Sequence, residues 1–245
     1  MLFTRALGFR ASLISLAGLV TGIVLSASAT GAETGNLPAI DAAQWALQKE
    51  VDNIRIYTMD QPGSGFQAFK AVAELDAPVE NLMAVMINPE SCEEWVLNCS
   101  ESYAFGQGDF HDRYAYSVND MPWPVTDRDY VLRIRTRGDA DTGQVIMDLN
   151  ATPGMRAEYS SRVRVDVSNT LYQFTPRGER THMVWVQHTE PNGSLPGWLV
   201  NNLLVDIPVE SMQALEAVAQ SDKYQGYRLE WAEDGNLQGV VPDNR

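Results

Sequence analysis

The feature that most constrains this chain is a series of short segments with strict two-residue alternation, running from Tyr114 to His188. In RDYVLRIRT, Tyr130, Leu132 and Ile134 fall on one face and Arg133, Arg135 and Arg137 on the other, because successive strand side chains point to opposite sides of a sheet. RVRVDV repeats the split, with Val163, Val165 and Val167 opposed to Arg162, Arg164 and Asp166. Strands are predicted at Tyr114–Val118, Tyr130–Thr136, Val145–Leu149, Arg162–Val167, Leu171–Phe174 and Met183–His188. Turn-forming stretches such as Gly106-Gln107-Gly108 and Pro176-Arg177-Gly178 separate them. One apolar and one charged face per strand implies an antiparallel sheet covered on a single side.

Such a sheet needs a cover. The segment Leu195–Gln220 supplies it, with Leu199, Leu203 and Ile207 at i, i+4 spacing and Met212, Leu215 and Val218 beyond Pro208. Pro208 lacks a backbone donor, so a kink is expected there. Upstream, Ala39–Val51 reads as a helix capped by Asp41, Phe66–Leu75 as a strand, and Pro78–Asn88 as a helix opened by its proline. Helix, strand, helix, a run of strands and a long final helix make an α+β domain in which a curved sheet grips a helix.

The N-terminus has the layout of a secretory signal peptide. Arg5 and Arg10 precede an uncharged apolar run to about Leu25, and small residues suit cleavage after Ala29 or Ala32, with an uncleaved membrane anchor as the alternative. Residues 1–32 are therefore assigned to the leader and 33–245 to one domain, with a flexible acidic tail expected over 226–245. The expected location is secreted or periplasmic. The 245-residue chain carries 18 Lys and Arg against 32 Asp and Glu, a net charge of −14. Losing Arg5 and Arg10 with the leader leaves 16 cations, and a net −16. That balance excludes nucleic acid as a partner and disfavours stable docking on anionic bilayers.

Cys92 and Cys99 are the two cysteines of the chain. An oxidising compartment makes a disulfide the expectation, against two buried thiols. With no histidine near them they form no zinc site, and neither a metal nor a cofactor is expected.

Two motifs carry a family resemblance. Pro122-Trp123-Pro124-Val125 followed by Asp127-Arg128-Asp129-Tyr130-Val131 resembles the Pro-x-Arg-Asp-aromatic-Val signature of START domains, the lipid-transfer domains related to the steroidogenic acute regulatory protein. About 70 residues on, Trp185, then Gly193-Ser194-Leu195-Pro196, then Leu199-Val200-Asn201 resembles the approach to that family's C-terminal helix. The resemblance runs from Ala39 to Tyr224. It implies a helix-grip fold whose sheet and final helix enclose an elongated apolar cavity for one lipid or other hydrophobic molecule, for transfer or sensing, with transient membrane contact.

Candidate cavity residues are Tyr114, Tyr116, Tyr130, Leu132, Ile134, Val163, Val165, Trp185, Leu199, Leu203 and Ile207. Tyr114, Tyr116 and Tyr130 are read as polar tips in an apolar pocket, or alternatively as ordinary core with satisfied hydroxyls. Trp123, Arg128 and Asp129 are read as a structural clamp at the strand entrance, in which Arg128 pairs a carboxylate; ligand binding by Arg128 is the alternative. Cholesterol-binding relatives place an acidic and a basic residue in the cavity. The matching positions here lie close to Ile134 and in Tyr114–Val118, so that charged pair is missing.

Two other function classes compete. A helix-grip enzyme such as a cyclase, dehydratase or hydrolase would use His182 or His188 as its base. A structural protein would have a filled core and no cavity. Asp139-Ala140-Asp141-Thr142-Gly143 begins like a calcium loop but lacks the later ligands, and a hairpin turn explains it better.

Overall fold

The computed structural model describes residues 37–196, 199–200 and 202–243. The leader expected over 1–32 lies outside them. Ten strands form one sheet: β1 (Ala46–Val51), β2 (Ile54–Met59), β3 (Ala68–Leu75), β4 (Cys99–Phe105), β5 (Asp112–Asn119), β6 (Arg128–Asp139), β7 (Gln144–Ala151), β8 (Val163–Arg164), β9 (Val167–Arg177) and β10 (Arg180–Glu190). The order across the sheet is β1-β2-β3-β10-β9-β7-β6-β5-β4, antiparallel along this path, with β8 paired in parallel to β6. The last strand, β10, therefore zips the N-terminal three-stranded unit to the later meander.

Two helices bridge β3 to β4: α1 (Val79–Met86) and the single turn α2 (Cys92–Trp95). Pro78 precedes α1, where its missing N–H is harmless. The final helix α3 (Ile207–Ala219) follows a π-helical stretch, Asn202–Asp206, and Pro208 stands in its first turn. The irregularity expected at Pro208 is thus a change of helical winding, and Leu195 and Pro196 lie outside the helix. Asn201, part of the second motif, is outside the described residues.

The sheet buries its concave face against α1, α2 and α3. Ile54, Ile56, Ala71, Leu75, Leu82, Met83, Phe174, Met212 and Leu215 are the centre of this core, each with essentially no exposed surface. Burial of each large side chain contributes about 1.5–3 kcal/mol.

Three expectations from the sequence need correction. Ala39–Val51 is not a helix: its second half is the edge strand β1, aligned from Ala46↔Thr58 to Val51↔Ile54. Good helix formers are overruled there by pairing with β2, whose Ile54, Ile56 and Thr58 alternate into the core. Arg162–Val167 is not one strand with a wet face. It breaks into β8 and the start of β9, and Arg164 and Val165 are both buried. Val167 is exposed. The tail is no flexible extension: β11 (Tyr227–Trp231) and β12 (Leu237–Pro242) form a hairpin that packs on the main core through Leu237 and Val240. The hairpin is also held by a hydrogen bond between His111 Nε2 and the Leu237 carbonyl oxygen at 2.7 Å.

Candidate ligand-binding cavity

The core is not filled. A cavity of about 220 Å³ lies between the concave face of the sheet, the segment from Met86 to Val96, and the final helix. A single water needs only about 10–15 Å³ of such space, so this is no packing defect.

The floor of the cavity is aromatic. Trp185 on β10 meets Phe69 on β3 at 5.1 Å and Tyr172 on β9 at 5.3 Å between ring centroids, edge-on and tilted. Trp95 of α2 stands over both Tyr172 and Trp185, at 6.2 and 6.3 Å. The Cys92–Cys99 disulfide, with Cα atoms 5.9 Å apart, joins α2 to the start of β4 and so fixes the short loop that carries Trp95. A hydrogen bond from the Leu97 amide to Ser211 Oγ, 3.0 Å, ties the same loop to α3. Leu132 and Ile134 of β6, Met147 and Leu149 of β7, and Leu203, Leu204 and Ile207 of the final helical segment complete the apolar wall.

Two sets of polar side chains also face the cavity. Along β10 and β9 they satisfy one another: Trp185 Nε1 donates to Gln187 Oε1 at 3.1 Å, Gln187 Nε2 donates to Thr189 Oγ1 at 3.0 Å, and the Thr189 and Ser168 hydroxyls share a bond of 3.0 Å. Ser102, Ser117 and Tyr130 form the second set, directly opposite one another across β4, β5 and β6. Burial pushes the Tyr130 hydroxyl up to about 12, so it stays a neutral phenol. Among the described residues the lining contains no Asp, Glu, Lys, Arg or His.

A sheet and terminal helix around an apolar chamber is the architecture that the two motifs implied. A family model described as START domain matches residues 30–223. The chain belongs to the START-domain family. An uncharacterised protein of Pseudomonas aeruginosa is 33% identical over 83% of this chain and 98% of its own length. The phosphatidylcholine transfer protein of Rattus norvegicus is 26% identical over 67% of this chain and 78% of its own. Among solved structures, a STAR-related lipid transfer protein from Xanthomonas axonopodis superposes with a TM-score of 0.67 at 24% identity, covering 73% of this chain and 99% of that one.

Within this START domain, six of the eleven residues proposed for the cavity line it: Tyr130, Leu132, Ile134, Trp185, Leu203 and Ile207. Tyr114 and Tyr116 do not. Register places Tyr116 beside Val131 and Tyr103, on the convex face, whereas Ala115 and Ser117 face inward. Val163, Val165 and Leu199 also lie off the cavity, with Leu199 and Val165 buried elsewhere. The lining residues that sequence reasoning passed over include Ser102, Ser117, Tyr172, Gln187 and Thr189. The last two share strand parity with Trp185, and that signal was available.

The clamp is made differently from the expectation. Arg128 is 2% exposed and pairs no carboxylate among the described residues. Its guanidinium donates to three carbonyl oxygens, Thr126 at 2.5 Å, Asn192 at 2.7 Å and Pro191 at 3.0 Å, tying the start of β6 to the chain leaving β10. Asp129 instead accepts a bidentate pair from Arg164, Nε to Oδ1 and Nη2 to Oδ2, both 2.9 Å. Asp127 Oδ1 accepts from the Met121 amide at 2.8 Å and closes the turn. Trp123 takes no part in the clamp, being 92% exposed.

The histidines of the enzyme reading face away from the cavity. His182 Nδ1 bonds Glu74 Oε1 at 2.7 Å. His188 Nε2 lies 3.1 Å from Ser64 Oγ and 3.5 Å from Glu190 Oε1. A nucleophile triad needs hydroxyl and carboxylate on opposite ring nitrogens; here both meet the same one.

Proposed function

We propose that this START domain binds a single lipid or other hydrophobic small molecule in the cavity and carries or senses it in the periplasm or outside the cell. The observation that carries this reading is the chamber itself: aromatic and aliphatic walls, a few neutral polar groups, and no charged or histidine side chain among the described residues that line it. Apolar burial stabilises such a complex by about 0.8 kcal/mol per CH₂, so a long-chain ligand needs few polar contacts. Similarity to proteins named for lipid transfer supports the same class of ligand. The extracytoplasmic location rests on the leader-like N-terminus and on the disulfide.

Transfer requires the cavity to meet a membrane. Met121 lines the cavity, and two residues on, between Pro122 and Pro124, Trp123 stands in solvent. An exposed tryptophan is suited to the water–bilayer interface. The net charge of −14 directs that contact to neutral or zwitterionic surfaces.

Native mass spectrometry of the exported protein, followed by solvent extraction, tests the reading. The expected result is about one apolar molecule per chain, released chemically unchanged. Protein that stays empty against phospholipids, fatty acids and sterols would sink it. Conversion of a bound compound to product would replace it with the enzyme reading. Trp123→Ala should slow transfer between phosphatidylcholine vesicles and leave equilibrium binding intact.

A further inference from the structure

The two polar sets in the cavity differ in a way that bears on which ligand fits. Gln187, Thr189 and Ser168 are already engaged with one another and with Trp185. Ser102, Ser117 and Tyr130 stand side by side on three adjacent strands, and their hydroxyls have no hydrogen-bond partner among the described residues. The two serines are 7% exposed and Tyr130 is half-buried, and all three line the cavity. Thr181, Ser91 and Ser211, elsewhere in the core, each have a partner within 3.0 Å, whereas this row turns three unpartnered hydroxyls to the cavity, where a ligand can supply the missing bond.

Each hydroxyl both donates and accepts, so the row complements an oxygen function of either kind. It does not complement a charge. A carboxylate or phosphate drawn into this chamber would lose its hydration and meet no cation among the described lining residues, which is unfavourable unless a partner is supplied. On the convex side Arg164 is committed to Asp129, and Arg162 to Tyr116 and Glu101; Arg113, on the inward parity of β5, bonds the Phe110 carbonyl oxygen and Thr136 Oγ1 and does not line the cavity.

We propose that the cavity selects an uncharged lipid with one neutral oxygen function, such as an alcohol, ketone or ester, and that this oxygen docks on the Ser102–Ser117–Tyr130 row. The inference rests on the ligand-binding reading above and adds the chemical class and the residues that choose it. Tyr130 and Ser117 are specificity-determining residues in this assignment. An ionised fatty acid and a phospholipid headgroup are both excluded from the chamber.

Nile red displacement from the full exported protein at about pH 8, where a fatty acid is ionised, separates the outcomes with four probes: oleyl alcohol, oleate, octadecene and dioleoylphosphatidylcholine vesicles. Oleyl alcohol should bind at least about tenfold more tightly than oleate. Tyr130→Phe and Ser117→Ala should each weaken the alcohol by about 3- to 10-fold and leave octadecene unchanged, because the hydrocarbon makes no bond to either hydroxyl. Oleate binding as well as the alcohol overturns the proposal, as does an equal loss for alcohol and octadecene in both variants. If oleate or phosphatidylcholine displaces the dye and the alcohol does not, this inference fails while the ligand-binding reading stands. If none of the four displaces it, both fail.

Discussion

The two faces of the same strands solve opposite problems. On the concave side of β4, β5 and β6, Ser102, Ala115, Ser117, Tyr130, Leu132 and Ile134 surround the cavity and leave three hydroxyls without a partner among the described residues. One residue along, on the convex side, Tyr116, Val118 and Val131 form a second small core. Tyr116 donates to Asp129 Oδ2 at 2.9 Å and accepts from Arg162 Nη1 at 2.7 Å. Arg156 sits over the rings of Tyr116 and Tyr103, at 4.7 and 5.1 Å. The segment carrying these arginines follows β7 and folds back over the sheet as β8. The difference teaches how a charged chain keeps a neutral chamber: strand alternation sends ionic groups to a face that can be packed solid, and small or neutral groups to the face that must stay open.

The largest expected effect comes from removing the buried carboxylate of the convex cluster. Asp129→Ala leaves Arg164, 2% exposed at its side chain, buried without its counter-ion. Stability should fall by about 4 kcal/mol in urea titration, the scale of a broken buried pair. Ligand affinity per folded molecule should not change. A loss below about 1 kcal/mol would show that the convex cluster is not the anchor described here.

Arg128 lies at the junction of the two faces. Arg128→Leu strands three carbonyl acceptors and should lower stability by about 3 kcal/mol. A variant that melts like the parent but no longer binds ligand would move Arg128 from clamp to binding site. Replacing Cys92 and Cys99 with serine should cost about 2.5 kcal/mol on the chain-entropy account. The double variant should also bind ligand less tightly, because it frees the loop that carries Trp95; unchanged affinity would separate the disulfide from the cavity.

The finest test contrasts two tyrosines. Tyr116→Phe removes two hydrogen bonds on the convex face and should cost about 1 kcal/mol. Tyr130→Phe removes none among the described residues and should change stability by less than about 0.5 kcal/mol. Both hydroxyls are pushed up to about 12, chiefly by burial. The fold therefore keeps them neutral while the unfolded chain ionises near 10, so their contribution is intact below about pH 10 and is lost as pH climbs to about 12. Urea midpoints at pH 9 and 11 should fall less in either phenylalanine variant than in the parent. Parallel declines in all three proteins would contradict the assignment.

Much of this was legible in the residues. Alternation alone placed Tyr130, Leu132 and Ile134 on one face of β6, and that face lines the cavity. The two motifs pointed to the family, and apolar spacing pointed to Leu203 and Ile207. These features are local, and period-two or helical spacing reports them without knowledge of any partner. What required the tertiary structure was every choice settled by a distant neighbour. Ala39–Val51 has helical composition, yet β2 makes its second half a strand. Arg164 alternates as though solvated, yet Asp129, 35 residues earlier, draws it into the interior. Tyr114 and Tyr116 attracted the cavity assignment as large amphipathic residues, while the inward positions went to Ala115 and Ser117. A cavity exists where side chains stop short, so its walls are marked by small residues whose meaning appears only when the facing strands and helix are in place. Register, ion pairing across the sheet and the volume left unfilled are properties of pairs and groups of segments, and a single strand's pattern does not contain them.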